Sequence, residues 1–381
     1  MNKIREFYKK HHLFIKIFTI IAISLMIIHH YFRRDILTMT LSTEQQQQVT
    51  QLLENSPTRC IGAYLINLPI QFKINQQGFL YYQNNGFIIR SRQQYLPAFK
   101  QLITLREQEL KNTQPVDPID GDFLKAIYPV HTSDPSKMQG IIFERMESIS
   151  ASDILRVLEA YRWQDNVTIR IEMKAFNGLG EQYAEEREKN PESYPNNVPE
   201  KLNEIHKLFE RIKIRDDFTI PTEKGFCFLH GFMQGEDRRW KDMTFIYRHN
   251  QIDDFYFRIT SNDFAGDYAL LDKPEGYVTQ GRGYTIYKGT RTSNQLLLEE
   301  WIAQGKFFVD EKGFEIDDIG YVFTLGIHMT DPTYETPQLR IKMYYKIPLD
   351  RTNAYTEDQL MVIWREITNS IKLRSKEFGL D

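Results

Sequence analysis

Two runs, ILRVLEAYRW at residues 154–163 and VTIRIEMKAF at residues 167–176, are separated only by Gln164, Asp165 and Asn166. Each run is strand-like, and the short polar insert between them is a tight turn, so together they predict a long antiparallel hairpin. A second pair of this kind follows far downstream. Ile319–Met329 and Gln338–Lys346 flank the turn-rich segment Asp331-Pro332-Thr333-Tyr334-Glu335-Thr336-Pro337. Runs of strands punctuated by few helices, with no regular strand–helix alternation, point to the α+β class built on antiparallel sheet.

Working outward from the first hairpin, Cys60–Pro69 reads as a strand ended by proline and Gly86–Arg90 as another. Within Gln93–Lys111, Leu96, Phe99, Ile103, the stem of Arg106 and Leu110 fall at helical spacing. Phe123–Val130 and Gly140–Met146 are strand-like. Gly178–Pro199 is the clearest loop, and Pro199 opens a helix with Leu202, Ile205, Leu208, Phe209 and Ile212 on one face. After a break at 215–221 come strands at Gly225–His230, Met243–Arg248 and Phe255–Ser261, then a Gly- and Tyr-rich section, Gly276–Thr292, and a strand-like run at Gln295–Ile302. A final helix starts at Thr356, with Gln359 at capping-box spacing and an apolar stripe of Leu360, Ile363, Trp364, Ile367 and Ile371. Each half thus runs from a Cys-bearing strand through a long hairpin to a closing helix. The expected architecture is two antiparallel-sheet lobes with flanking helices, residues 57–215 and 216–381.

Upstream, LFIKIFTIIAISLMIIHHYF at residues 13–32 has the length a helix needs to cross a bilayer core, roughly 20 residues. Lys3, Arg5, Lys9 and Lys10 precede it, which by the positive-inside rule leaves the N-terminus cytoplasmic and the body across the membrane. No small-x-small cleavage site follows it, so residues 1–35 are expected to be a cytoplasmic N-terminus and signal anchor, not a cleaved leader. The Gln-rich residues 36–56 are then a juxtamembrane linker, as a short helix or a tether. The localisation this predicts is the inner membrane, single-pass, with the body in the periplasm.

The chain has 381 residues and formal charge −3; residues 1–34 carry seven cations and one anion, which leaves the rest at −9. An acidic body is a poor ligand for nucleic acid, which rewards cationic patches. The two cysteines, Cys60 and Cys227, lie in what is expected to be an oxidising compartment. Either they bridge, or each is a buried thiol in its own core. Spacing alone does not bring their Cα atoms within reach.

Phosphate loops, nucleophile elbows, paired C-x-x-C sites and H-E-x-x-H helices do not occur in the sequence. Gly281-x-Gly283 has no third glycine at dinucleotide spacing. His206, His230, His249 and His328 stand on separate elements without a carboxylate or cysteine at ligand spacing, so no metal, cofactor or catalytic residue is predicted. Two surface stretches remain. Gly231–Asp242 gathers Arg238, Arg239 and Trp240 in an expected hairpin loop, and Glu275–Arg291 offers Tyr277, Arg282, Tyr284 and Tyr287 among glycines. Trp, Tyr and Arg are the types that dominate binding energy at interfaces, which makes these seven the candidate partner contacts.

Five stretches in order carry a family resemblance: Thr58–Pro69 (TRCIGAYLINLP), Leu158–Trp163, Gly225-Phe226-Cys227-Phe228, the passage from Lys288–Thr292 to Glu299–Trp301, and Ile363–Arg374. The chain resembles the immunity proteins that bacteria pair with type VI secreted lipase effectors of the phospholipase class. Ala63, where the family usually has arginine, and Ser375, where it usually has proline, depart from the pattern. The resemblance implies a non-enzymatic periplasmic protein whose partner is the cognate lipase effector, held by its lid or at its active-site entrance. An anchored envelope-assembly or sensor protein would share the topology, and genomic neighbours would separate the two. A periplasmic enzyme with an unrecognised site is the other class left open.

Overall fold

The computed structural model describes residues 41–83, 86–130, 134, 136–264, 269–279, 281–307, 318–348 and 354–378. The expected membrane-spanning segment at 13–32 lies outside these residues. Among the described residues no helix is long and apolar enough to cross a membrane.

Both long hairpins form. β8 (Leu155–Gln164) pairs antiparallel with β9 (Val167–Phe176), from Leu155 opposite Phe176 to Gln164 opposite Val167. The chain reverses through Asp165 and Asn166, whose φ angles of 49° and 59° are those a two-residue hairpin turn requires and that Asn and Asp tolerate best. β17 (Gly320–Ile327) and β18 (Gln338–Lys346) pair in the same way.

The strands of the first half are completed by β4 (Gln77–Tyr82), β5 (Phe87–Gln93), β6 (Leu124–Pro129) and β7 (Met138–Met146), and lie side by side as β4-β5-β9-β8-β7-β6. Those of the second half, β13 (Lys241–His249), β14 (Phe255–Asn262), β15 (Gly283–Ser293) and β16 (Leu296–Gly305) with β17 and β18, lie as β13-β14-β18-β17-β16-β15. The two orders correspond strand for strand. β4 then pairs antiparallel with β13, Leu80 opposite Met243, which fuses them into one 13-stranded sheet, with β3 (Phe72–Ile74) also against β13. The halves therefore repeat one topology, and the pairing of β4 with β13 joins them in a single sheet. Pairing between strands so distant in sequence leaves no local pattern to read.

Two small sheets tie the halves. The hairpin of β1 (Thr58–Ile61) and β2 (Tyr64–Asn67) takes as its third strand β19 (Lys372–Leu373), from the far end of the chain. The hairpin of β11 (Gly225–Phe228) and β12 (Gly231–Gln234) takes β10 (Ile212–Ile214), the strand that ends the first half. Each hairpin is thus completed by the strand closing the other half. The hairpins touch through Gly62 N–H to Cys227 O (3.0 Å) and Cys227 N–H to Gly62 O (2.9 Å). Here Cys60 and Cys227 form a disulfide, Cα atoms 5.8 Å apart. Of the two readings left open by the sequence, the structure has the bridge.

One face of the large sheet carries the main core. Leu80, Ile89, Ile171 and Ala160 lie opposite one another across β4, β5, β9 and β8, all buried. Three helices complete this core: α1 (Thr43–Leu53) with Val49 and Leu52, α3 (Val198–Arg211) with Ile205, Leu208 and Phe209, and α4 (Glu357–Asn369) with Leu360, Ile363 and Trp364. The predicted capping box of Thr356 and Gln359 opens α4. Gln359 also donates to the Gln45 carbonyl (3.2 Å) and Gln48 Oε1 (2.8 Å), so α1, within the expected linker, docks on the body. On the opposite face, α2 (Leu96–Asn112) covers β7 and β8 through Phe99 and Leu110 against Phe143, Tyr161 and Trp163. Leu270 and Val278 of the segment 270–279 cover Trp301, Ala303 and Val322 of β16 and β17. Between these covers lie β9, β5, β4, β13 and β14, with β18 reached at its edge by Tyr277 of the second cover.

Candidate partner-binding surface

Side chains alternate across a strand, so those pointing away from the main core form a second surface on these six central strands. β4 contributes Phe79 and Tyr81, 48% and 37% exposed. Arg90 and Arg92 of β5 lie opposite Phe79 and Gln77 on β4, and opposite Arg170 and Thr168 on β9. In the second half, β13 gives Arg248, β14 gives Tyr256 and Arg258, and β18 gives Arg340, Lys342 and Tyr344. Arg258 is opposite Lys342, as Arg90 is opposite Arg170. Tyr256 and Tyr344 stack with centroids 4.7 Å apart, and the Arg248 guanidinium lies 4.8 Å over the Tyr256 ring. The surface is thus cationic and aromatic on a chain whose net charge is negative. Burial pushes the Lys342 ammonium down, and Arg340 and Arg258 push it the same way.

At the first-half end, a buried acid organises the arginines. Glu159 on β8 is fully buried, and Arg106 of α2 donates to both of its oxygens (2.8 and 2.7 Å). Arg145 Nε (2.8 Å), Arg170 (3.2 Å) and the Tyr161 hydroxyl complete its partners. Burial alone would raise the Glu159 carboxyl; the hydrogen bond from Arg106 and the charge of Arg170 outweigh it and bring it down to about 2. The sequence placed only the stem of Arg106 on the helix face; its guanidinium has the larger task. Beside this network a cavity of about 370 Å³ is lined by Phe79, Arg90, Arg92, Leu102, Tyr161 and Arg170.

The seven sequence-predicted contacts are not brought together. Arg239 sits with its guanidinium 4.6 Å from the Tyr82 ring and pairs with Glu204 (3.0 Å) and the buried Asp237 (2.5 Å), so it is part of the packing. Arg238 (side chain 89% exposed, 3.6 Å from Glu236) and Trp240 (45% exposed) share a separate cavity of about 450 Å³ with Lys224 and Tyr334. Their segment is not a hairpin loop: β12 pairs with β10 and β11, β13 with β3, β4 and β14, so it connects two sheets. The Tyr-rich section is mostly strand, since β15 ends the sheet. Tyr287 lies against the main core under the Arg365 guanidinium (5.4 Å). Tyr284 is 60% exposed and its hydroxyl donates to Gln304. Arg282, at the start of β15, is half-buried and its carbonyl accepts from Lys306 N–H (3.1 Å). Tyr277 alone reaches the cationic surface, where its hydroxyl accepts from Arg340 (2.8 Å) and its ring lies 5.5 Å from the Lys342 ammonium.

Sequence reading missed Arg90, Arg92, Arg170, Arg258, Arg340 and Lys342. The available signal was cations two apart within strand-like runs, as in Arg90-x-Arg92 and Arg340-x-Lys342. That spacing places each pair on one face, but only the sheet order places the pairs side by side. Among the described residues no group of three His, Cys, Asp or Glu side chains is arranged to hold a metal ion.

No curated protein matches the chain. Among solved structures, that of a Tle4–Tli4 complex matches with TM-score 0.60 at 19% identity, over 84% of this chain and 98% of the other. The immunity protein TplEi of the type VI secretion system of Pseudomonas aeruginosa in its apo form matches with TM-score 0.60 at 18% identity, over 84% and 97%. At these identities the likeness establishes the fold. Two family models also match in succession: the N-terminal domain of Tle cognate immunity protein 4 over residues 57–215, and its C-terminal domain over residues 219–376. The chain belongs to the Tle cognate immunity protein 4 family.

Proposed function

We propose that this protein is a membrane-anchored periplasmic immunity protein that binds a cognate type VI secreted phospholipase effector and neutralises it, by holding its lid or blocking its active-site entrance. The observation that carries this reading is the match of both family domains, in order, along nearly the whole described chain. The solved complex of Tle4 with Tli4 supports reading capture of an effector across to this chain. The uncovered sheet face supports it too, since it presents Arg and Tyr side chains from both halves on one surface. The Cys60–Cys227 disulfide is in keeping with an oxidising compartment. An anchor at residues 13–32 would hold the protein where a lipase must work, raising its effective concentration there. Gripping a lid requires only that the closed lipase bind more tightly than the open one, which shifts the lid equilibrium away from the lipid-engaged state.

The test is co-expression with a candidate cognate lipase effector, exported to the periplasm. The full chain is expected to restore growth and to be recovered from membranes in complex with the lipase. Continued lysis at equal expression, with no complex recovered, would overturn the proposal.

A further inference from the structure

We infer that the cavity lined by Phe79, Arg90, Arg92, Leu102, Tyr161 and Arg170 is an anchor pocket for a carboxylate side chain presented by the protein partner. This deepens the function proposed above and rests on it. Three guanidinium groups on two adjacent strands line one concavity whose walls contain no acid. The acids near it are already shared: Glu172 faces Arg90 (3.5 Å), Arg170 (3.3 Å) and Arg145 (3.8 Å), and Glu159 is held by Arg106, Arg145 and Arg170. Four arginines thus share Glu159 and Glu172, with Glu109 also on Arg106 (2.8 Å), while Arg92 of the pocket wall pairs with neither acid and donates to Gln94 (3.1 Å). Arg170 Nε is buried without a hydrogen-bond partner, and the Arg90 side chain is 50% exposed at the mouth. A planar guanidinium pairs with carboxylate through two parallel hydrogen bonds, and a concave wall concentrates the positive potential.

The apolar walls decide what carries the carboxylate. Phe79 and Leu102 offer surface to an aliphatic stem or an apolar neighbour, which a free inorganic anion would leave uncovered. The cavity, about 370 Å³, lies at the small end of ligand sites and takes one or two side chains. Its recessed position between a sheet and α2 suits a protruding loop. The second half shows such a place already filled. Beside the corresponding pair, Arg258 and Lys342, the chain's own Tyr277 lies 5.5 Å from the Lys342 ammonium and accepts from Arg340 (2.8 Å).

The test measures affinity of the full chain for its cognate lipase effector, comparing wild type with Arg90→Glu and, as a milder change, Arg92→Gln, both checked for unchanged thermal unfolding. Arg90→Glu is expected to weaken binding at least about tenfold, with the difference shrinking at high salt. An Asp→Lys or Glu→Lys change on one effector loop should restore tight binding to Arg90→Glu alone. If wild type binds the effector and both variants bind equally well, the pocket assignment falls while the immunity function stands. If wild type binds no effector, the function itself fails and the assignment with it. Binding to phosphatidylglycerol vesicles that is lost in Arg90→Glu, with effector binding intact, would overturn the assignment in favour of lipid.

Discussion

His230 occupies the turn of the β11–β12 hairpin with φ of 59°, 7% exposed, and neither ring nitrogen has a hydrogen-bond partner. Burial pushes its pKa down, and Arg215 pushes it further against the opposing pull of Asp217, to about 4. The folded protein holds this ring neutral while the unfolded chain protonates it near its ordinary value. Stability should therefore fall as pH drops from about 6.5 to about 4, by up to about 3 kcal/mol, and level off below. His230→Asn, which tolerates the left-handed backbone, should flatten that part of the profile in urea unfolding. Glu159 works in the next window. Its depressed pKa contributes stability above its ordinary value of 4.5 that is lost as pH falls toward about 2. Glu159→Gln should lower unfolding free energy by about 2–4 kcal/mol, because it removes the buried charge that three partly buried arginines share. Neither residue was legible from the sequence. A lone histidine and a glutamate in a strand-like run look ordinary until their burial and neighbours are known.

At the scale of elements, much was legible. The turn at Asp165 and Asn166, the capping box at Thr356 and the periodicity of the final helix are local signals, and all three take the expected form. What escaped was the exchange of closing strands, because β19 and the β1–β2 hairpin meet only in space. Arg374 holds that joint: its buried guanidinium donates to the carbonyls of Pro221 (2.9 Å), Glu223 (2.6 Å) and Gly225, and its N–H to Ala63 O (2.8 Å). Arg374→Ala should cost about 1–3 kcal/mol in urea unfolding, since it leaves the buried Gly225 carbonyl, and the more exposed ones of Pro221 and Glu223, without their guanidinium donor. The disulfide spans the same joint across 167 residues of chain. Cys60→Ser with Cys227→Ser should lower stability by about 2–5 kcal/mol, and dithiothreitol should have the same effect on wild type but none on the double variant.

At the scale of the whole molecule, two copies of one topology meet edge to edge at β4 and β13 and leave a single cationic, aromatic face between two flanking covers. The sequence carried the halves, in their parallel run from Cys-bearing strand to closing helix. It did not carry the face, because a strand's cations mean little until neighbouring strands are known. That face on an acidic chain is suited to stoichiometric capture of a protein. The most direct test is hydrolysis of phospholipid vesicles by the cognate lipase effector, titrated with the chain of residues 1–381 reconstituted in vesicles. Lipid hydrolysis should fall linearly and stop near an equimolar ratio. Hydrolysis that persists at excess chain, or lipid turnover by the chain alone, would contradict the account.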